Sequence, residues 1–173
     1  MEAASRGRLE SINVSQGGVP KHPTPEADVR AQGVEGDRQR DLRYHGGPDR
    51  AVSVFSAERI AALQAEGHPI APGTIGENLT VSGVDWTRAT PGARLDFGAV
   101  RLEITGYAAP CANIAGSFAR GDIARVAQKK NPGWSRVYTR VLVPGHVRIG
   151  DSVVLFDAPG FQGSPTAEHG GAA

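Results

Sequence analysis

The chain has 173 residues, 39% of them hydrophobic, and 19 Lys or Arg against 18 Asp or Glu leave a formal charge of +1. That length suits one domain with a substantial core, and the near-cancelled charge argues against an extended basic surface for nucleic acid. No run approaches the roughly 18 apolar residues of a membrane helix, Met1 to Arg8 lack a signal peptide's apolar stretch, and the single cysteine excludes an internal disulfide, so a cytoplasmic protein with no nucleic-acid or membrane partner is expected.

Glycine is the compositional outlier, at 23 residues with 12 prolines beside it, which predicts short strands joined by tight turns. Residues 1–8 read as a flexible lead. Ile12 and Val14 alternate with polar neighbours and suggest a first strand. From Gln16 to Arg50 the sequence is polar and rich in Gly, Pro and charge, without clear periodicity; so long a segment is usually functional or disordered. Ala51–Ser56 reads as a strand, and Ser56 is placed to cap a helix over Ala57–Glu66 whose apolar side is Ala57, Ile60, Ala61 and Leu63. Gly67 ends that helix and Pro69 forbids its continuation.

Asn78–Ser82 is the next predicted strand. Ala93–Phe97 and Val100–Thr105 alternate about Gly98-Ala99, a pair that suits a type II′ hairpin because the first turn residue needs positive φ. Beyond Cys111, helical spacing of Ile123, Val126 and Ala127 predicts a helix with Lys129 and Lys130 at its C-terminal end. Trp134–Val143 and Val147–Phe156 read as an antiparallel pair joined through Pro144-Gly145, and the residues from Asp157 onward as a disordered tail. About seven or eight strands and two or three helices give a mainly β (α+β) fold, with a barrel-like core over residues 9–156.

Four stretches carry residues that packing explains poorly. In His45-Gly46-Gly47-Pro48-Asp49-Arg50, adjacent glycines expose backbone N–H groups between cationic donors; an anion-binding loop and a plain glycine turn both fit that pattern. In Pro72-Gly73-Thr74-Ile75-Gly76-Glu77-Asn78, the last two residues either hold a ligand or tie down a neighbouring loop. Cys111 follows Pro110 in a turn-like context, where an inert small side chain and a reactive thiolate are equally open. Strand alternation puts Trp134, Arg136, Tyr138 and Arg140 on one cationic, aromatic face, suited to phosphate or simply to solvent. The histidines are scattered without zinc-site spacing, and no Gly-x-Ser-x-Gly elbow is present.

Taken in order, Gly36-Asp37, His45 to Val52, Pro72-Gly73 to Leu79, Pro110-Cys111 and Gly150-Asp151 resemble the MOSC family, the domains similar to the C-terminal part of molybdenum cofactor sulfurases, which also stand alone in bacteria. The resemblance covers roughly residues 9 to 156. It implies a MOSC-type β-barrel-like core with a few short helices, binding molybdenum cofactor (molybdopterin) near Cys111. By that resemblance His45, Gly46, Gly47, Asp49, Arg50, Glu77 and Asn78 belong to the cofactor site, and Cys111 is the molybdenum ligand or a persulfide carrier. Arg136, Tyr138 and Arg140 are added from their strand face. Ala108 and Ala109 stand where some branches carry an arginine before the Pro-Cys pair.

The first implied activity is reduction of N-hydroxylated or related substrates with Cys111 on molybdenum. No flavin or iron–sulfur motif is present, so a separate reductase would supply electrons. The second is sulfur transfer, with Cys111 loaded by a partner such as a cysteine desulfurase. The third is a cofactor-binding module without turnover.

Overall fold

A computed structural model of the chain describes residues 3–38 and 46–163. Eleven strands occur among the described residues: β1 (Ala3–Val14), β2 (His22–Thr24), β3 (Glu26–Arg30), β4 (Gly33–Val34), β5 (Val52–Ser56), β6 (Leu79–Ser82), β7 (Arg94–Phe97), β8 (Val100–Tyr107), β9 (Val137–Val143), β10 (Gly145–Arg148) and β11 (Ser152–Phe156). One α-helix, α1 (Ala57–Ala65), is joined by short 3-10 segments.

The order β11-β7-β8-β9-β5-β6-β1, with β1 pairing back onto β11, closes a seven-stranded barrel, and β2 extends it beyond β1. Closure removes the unpaired edges that an open sheet would expose. Among the described residues only β5 and β6 pair in parallel, and α1 provides their crossover, packed against both. A second, three-stranded sheet has the order β10-β3-β4.

Alternation decides which side chains fill the barrel. Leu95 and Phe97 of β7 and Val100, Leu102 and Ile104 of β8 are fully buried, while Arg101 and Glu103 turn outward. Each such apolar side chain contributes roughly 1.5–3 kcal/mol on burial. The β7–β8 hairpin pairs Phe97 with Val100, and Gly98 takes φ of 61° as the turn requires. Ser56 Oγ caps α1 by accepting the Arg59 amide, Ile60 and Leu63 face the core, and Gly67 (φ 95°) ends the helix as the His68 amide reaches back to the Leu63 carbonyl.

Several local expectations are corrected. Residues 3–8, read as flexible, pair with β11 from Ala3 opposite Phe156 to Arg8 opposite Ser152. The predicted helix after Cys111 is three 3-10 segments, Ala112–Ser117, Ala119–Gly121 and Ile123–Val126. Arg120, at φ 57°, interrupts helical geometry there beside Gly121. The predicted pair of Trp134–Val143 with Val147–Phe156 does not form. The β9 strand starts at Val137 and is flanked by β8 and β5, so its ladder is already full. A turn at Ile149-Gly150 splits the last segment between two sheets: β10 joins β3, and β11 joins β7 and β1. Residues 22–34 form strands although their composition shows no periodicity. At the far end, Asp157 pairs with Arg88 at 2.5 Å and the Phe161 ring lies under the same guanidinium, so the segment expected to be disordered starts with ordered contacts. No helix among the described residues is long and apolar enough to cross a membrane.

Candidate functional site

Three strands place the predicted residues side by side. Tyr138 of β9 lies opposite Gly106 of β8 on one side and Ser53 of β5 on the other. Ser53 in turn exchanges hydrogen bonds with Asn78, its amide donating to Asn78 Oδ1 and its carbonyl accepting the Asn78 amide. Asn13 extends the row by donating its amide to the Asn78 carbonyl at 2.7 Å. Ser53, Asn78 and Tyr138 therefore lie on neighbouring strands, and the Arg50 and Arg136 side chains both reach the Tyr138 ring.

A buried polar nest forms its inner part. Asp37 Oδ1 accepts the Ser15 amide, and its Oδ2 accepts both Lys21 Nζ at 2.6 Å and Asn78 Nδ2 at 2.9 Å. Asn78 donates its other hydrogen to the Asn13 carbonyl at 3.2 Å. Both of its amide hydrogens are thus committed, and this side chain ties β1, β5 and the Asp37 loop together. Burial pulls the Lys21 ammonium below the ordinary lysine range, against the opposing pull of Asp37.

Glu77 is fully buried beside this nest. Its Oε1 accepts the Gly73 amide at 2.6 Å, while Oε2 is buried with no hydrogen-bond partner. Desolvation pushes its carboxyl up to about 7, with Arg136, the Gly73 amide and Lys21 acting the other way. The turn that carries it needs its glycines. A Cβ on Gly73 (φ 84°) would stand 2.5 Å from the Lys21 carbonyl oxygen, and one on Gly76 (φ 92°) would meet Val19 at 3.1 Å and Arg136 Nη1 at 3.7 Å.

The outer part is cationic and aromatic. Tyr138 is 9% exposed, with the Arg50 guanidinium 5.4 Å and the Arg136 guanidinium 5.6 Å from its ring centroid. Gly46 and Gly47, both at positive φ, lead into a 3-10 turn at Pro48–Arg50, and the Asp49 carbonyl accepts the Thr105 hydroxyl. Asp49 and Glu103 lie 3.5 and 3.4 Å from Arg140, an outward pairing that occupies this arginine more than Arg136. His45 lies outside the described residues. Trp134 is also set apart: it is stacked between Arg59 and Arg125, at 4.4 and 3.9 Å.

Cys111 lies three residues beyond Ala108, whose amide donates to the carbonyl of Arg136, just ahead of β9, at 3.0 Å. Its thiol is partly exposed and caps no amide of the 3-10 segment that follows. That segment is fastened elsewhere. Ser117 Oγ donates to the Thr74 carbonyl, the Ala119 amide donates to His68 Nδ1 at 3.0 Å, and Arg125 forms a bidentate pair with Glu66. Among the described residues no group of three or more His, Cys, Asp or Glu is placed to hold a bare metal ion.

Sequence reasoning missed Lys21, Asn13 and Ser53, which complete the nest. No local signal marks them, because each matters through a partner distant in the chain.

Comparison with known proteins places this chain in a family. The MOSC domain model matches residues 41–154, and the chain belongs to that family. It is similar to YflK of Bacillus subtilis, with 31% identity over 140 residues, covering 80% of this chain and 62% of YflK. It is also similar to YiiM of Escherichia coli, with 33% identity over 122 residues, covering 66% of this chain and 52% of YiiM. The chain thus spans between about half and three fifths of these relatives. The crystal structure of YiiM from Geobacillus stearothermophilus shares the fold, with a TM-score of 0.67 over 87% of this chain and 75% of that one at 23% identity.

Proposed function

We propose that this MOSC protein binds molybdenum cofactor on the Arg50–Tyr138–Arg136 face, with Cys111 as the side-chain ligand to molybdenum. The observation that carries the reading is the pair of guanidiniums flanking Tyr138, with the Cys111 turn tethered to Arg136. Guanidiniums and glycine amides suit the phosphate of a pterin cofactor, the aromatic ring suits its planar part, and a partly exposed thiolate suits a soft metal. An organic molecule that itself chelates the metal fits this donor set better than a bare ion does.

When bound, the group would supply two-electron redox chemistry. The chain's own residues do the rest. Arg50 and Arg136 neutralise the anion, Gly46 and Gly47 allow close backbone approach, and Tyr138 provides a flat, largely dry surface between the cations. Asn78, Asp37 and Lys21 hold the underlying strands in register rather than touching the ligand. Membership of the MOSC family suggests N-hydroxylated or related compounds as substrates, reduced with electrons from a separate reductase.

A persulfide on Cys111, loaded by a cysteine desulfurase, is the second reading, and it uses the same partly exposed thiol. Both are tested by metal, pterin and sulfane-sulfur analysis of protein purified from a host that makes molybdenum cofactor, comparing wild type with Cys111→Ala. Near-stoichiometric molybdenum that is lost in the variant is the expected result. Thiocyanate-forming sulfur without metal would replace it with the carrier reading, and pterin retained equally in both samples would reduce Cys111 to a bystander at a binding module.

A further inference from the structure

Glu77 is the one buried side chain among the described residues with a polar atom left without a hydrogen bond. An ionised carboxylate at this depth needs a cation. Two are near: Lys21, already engaged by Asp37, and Arg136, which also stacks on Tyr138. The Arg136 guanidinium passes over Gly76, the residue next to Glu77 in the chain, with Nη1 3.7 Å from where a Cβ would stand. It therefore acts on an inner anion, Glu77, while stacking on Tyr138 at the outer face where an anionic ligand would bind. Lys21 and Arg136 are the charged groups that act on the carboxyl, with Asp37 paired to Lys21, and the three belong to the loop after β1, the approach to β9 and the loop after β4.

We propose that Glu77 is a positioning residue acting through Arg136: its carboxylate and a bound anion compete for the same guanidinium, so that binding an anion at the Tyr138 face draws a proton from solvent onto Glu77. The inference rests on the anion-site reading above and adds to it a coupling between ligand and proton. The proton balance is simple. Without ligand, Arg136 helps to offset an ionised Glu77; with ligand, the guanidinium's charge is matched from outside and the buried carboxyl is more stable neutral. The raised carboxyl value, about 7, puts this exchange in the physiological range. Since Glu77 is fully buried, it acts without touching the ligand.

Sulfate is the probe, because its charge is fixed between pH 5.5 and 8.5. Titration calorimetry in buffers of different ionisation enthalpy should show a fraction of a proton taken up per sulfate bound near pH 7. Affinity should fall on raising the pH above 7, approaching tenfold per unit, the limit for about one linked proton. Glu77→Gln, which keeps an oxygen for the Gly73 amide, should bind sulfate without proton uptake and with a flat pH profile. Carbon NMR of the wild-type Glu77 carboxyl needs no variant, and should show its titration midpoint rising when sulfate is added. Wild-type binding without proton uptake, or uptake that persists in Glu77→Gln, would overturn the coupling and leave the anion site standing. No sulfate binding, or binding unaffected by Arg136→Ala, would overturn the anion site and the coupling with it.

Discussion

Two clusters of charge sit at opposite depths in this molecule. Inside, Asp37, Lys21, Asn78 and Glu77 are almost wholly removed from water, with side-chain exposures of 11% for Lys21 and 3% for Asp37. Outside, across the β3–β10 ladder, His146 lies 2.6 Å from Asp28 and 3.4 Å from Glu26, which also pairs with Arg148 at 2.9 Å. The outer cluster has more ion pairs, yet each is hydrated and screened, so little is lost when one breaks. The inner one has a single ion pair whose every partner must be present, because a buried charge left alone has no water to fall back on. Charge count is a poor guide to what a cluster does, and depth is a better one.

The two also respond to pH in opposite senses. His146 is held above its ordinary value by hydrogen bonds that it donates to Asp28 and Glu26, so its contribution is complete below about 6.5 and is lost as pH rises through the raised value. Glu77 behaves as a carboxyl raised by desolvation. Between 4.5 and about 7 the unfolded chain ionises while the folded one does not, so stability falls across that window and levels off above it.

The comparison is broken most sharply by removing Asp37. Asp37→Ala strands Lys21, the Ser15 amide and one Asn78 hydrogen, and should cost roughly 3–5 kcal/mol in chemical denaturation; a loss no greater than that of an exposed charge would mean the nest is hydrated. Glu77→Gln should gain stability relative to wild type as pH rises from 5 to 8, by up to about 3 kcal/mol. A pH-independent difference would show that Glu77 is ionised throughout. Arg136→Ala should weaken cofactor retention by roughly 1.5–3 kcal/mol with little change in fold, and unchanged retention would return that arginine to solvent. Smallest of all, His146→Ala should move the denaturation midpoint slightly at low salt and not measurably at high salt.

Depth also explains how much was legible in the sequence. The α1 helix and the β7–β8 hairpin were readable because their signals are local: Ser56 as cap, Gly67 as stop, Gly98 between two alternating runs. The barrel itself was readable in kind from the density of short strands and turns. Its pairing was not, because β9 is claimed by β5 and β8, from distant parts of the chain, and no neighbouring turn announces that. The helical spacing of Ile123, Val126 and Ala127 predicts a helix running to Lys129 and Lys130, whereas the structure forms the 3-10 segment Ile123–Val126 there, just after Gly121 and the left-handed Arg120. At the site, Arg136, Tyr138 and Cys111 stood out by residue type, and the structure stacks the first on the second. Lys21 sits in a segment whose composition reads as solvent-exposed loop, and only its pairing with Asp37, 16 residues on, gives it a role.

The seam between β1 and β11 has a consequence for how the barrel is made and remade. Ala3 faces Phe156 across it, although the whole barrel sequence lies between them. This edge of β1 is covered only once β11 has been made, a pairing of the long sequence separation that tends to slow folding. The same proximity means that a short linker could join these two ends and new termini be opened in an exposed turn such as Gly98-Ala99. The barrel would then keep every strand neighbour while turning its most distant pairing into its most local one.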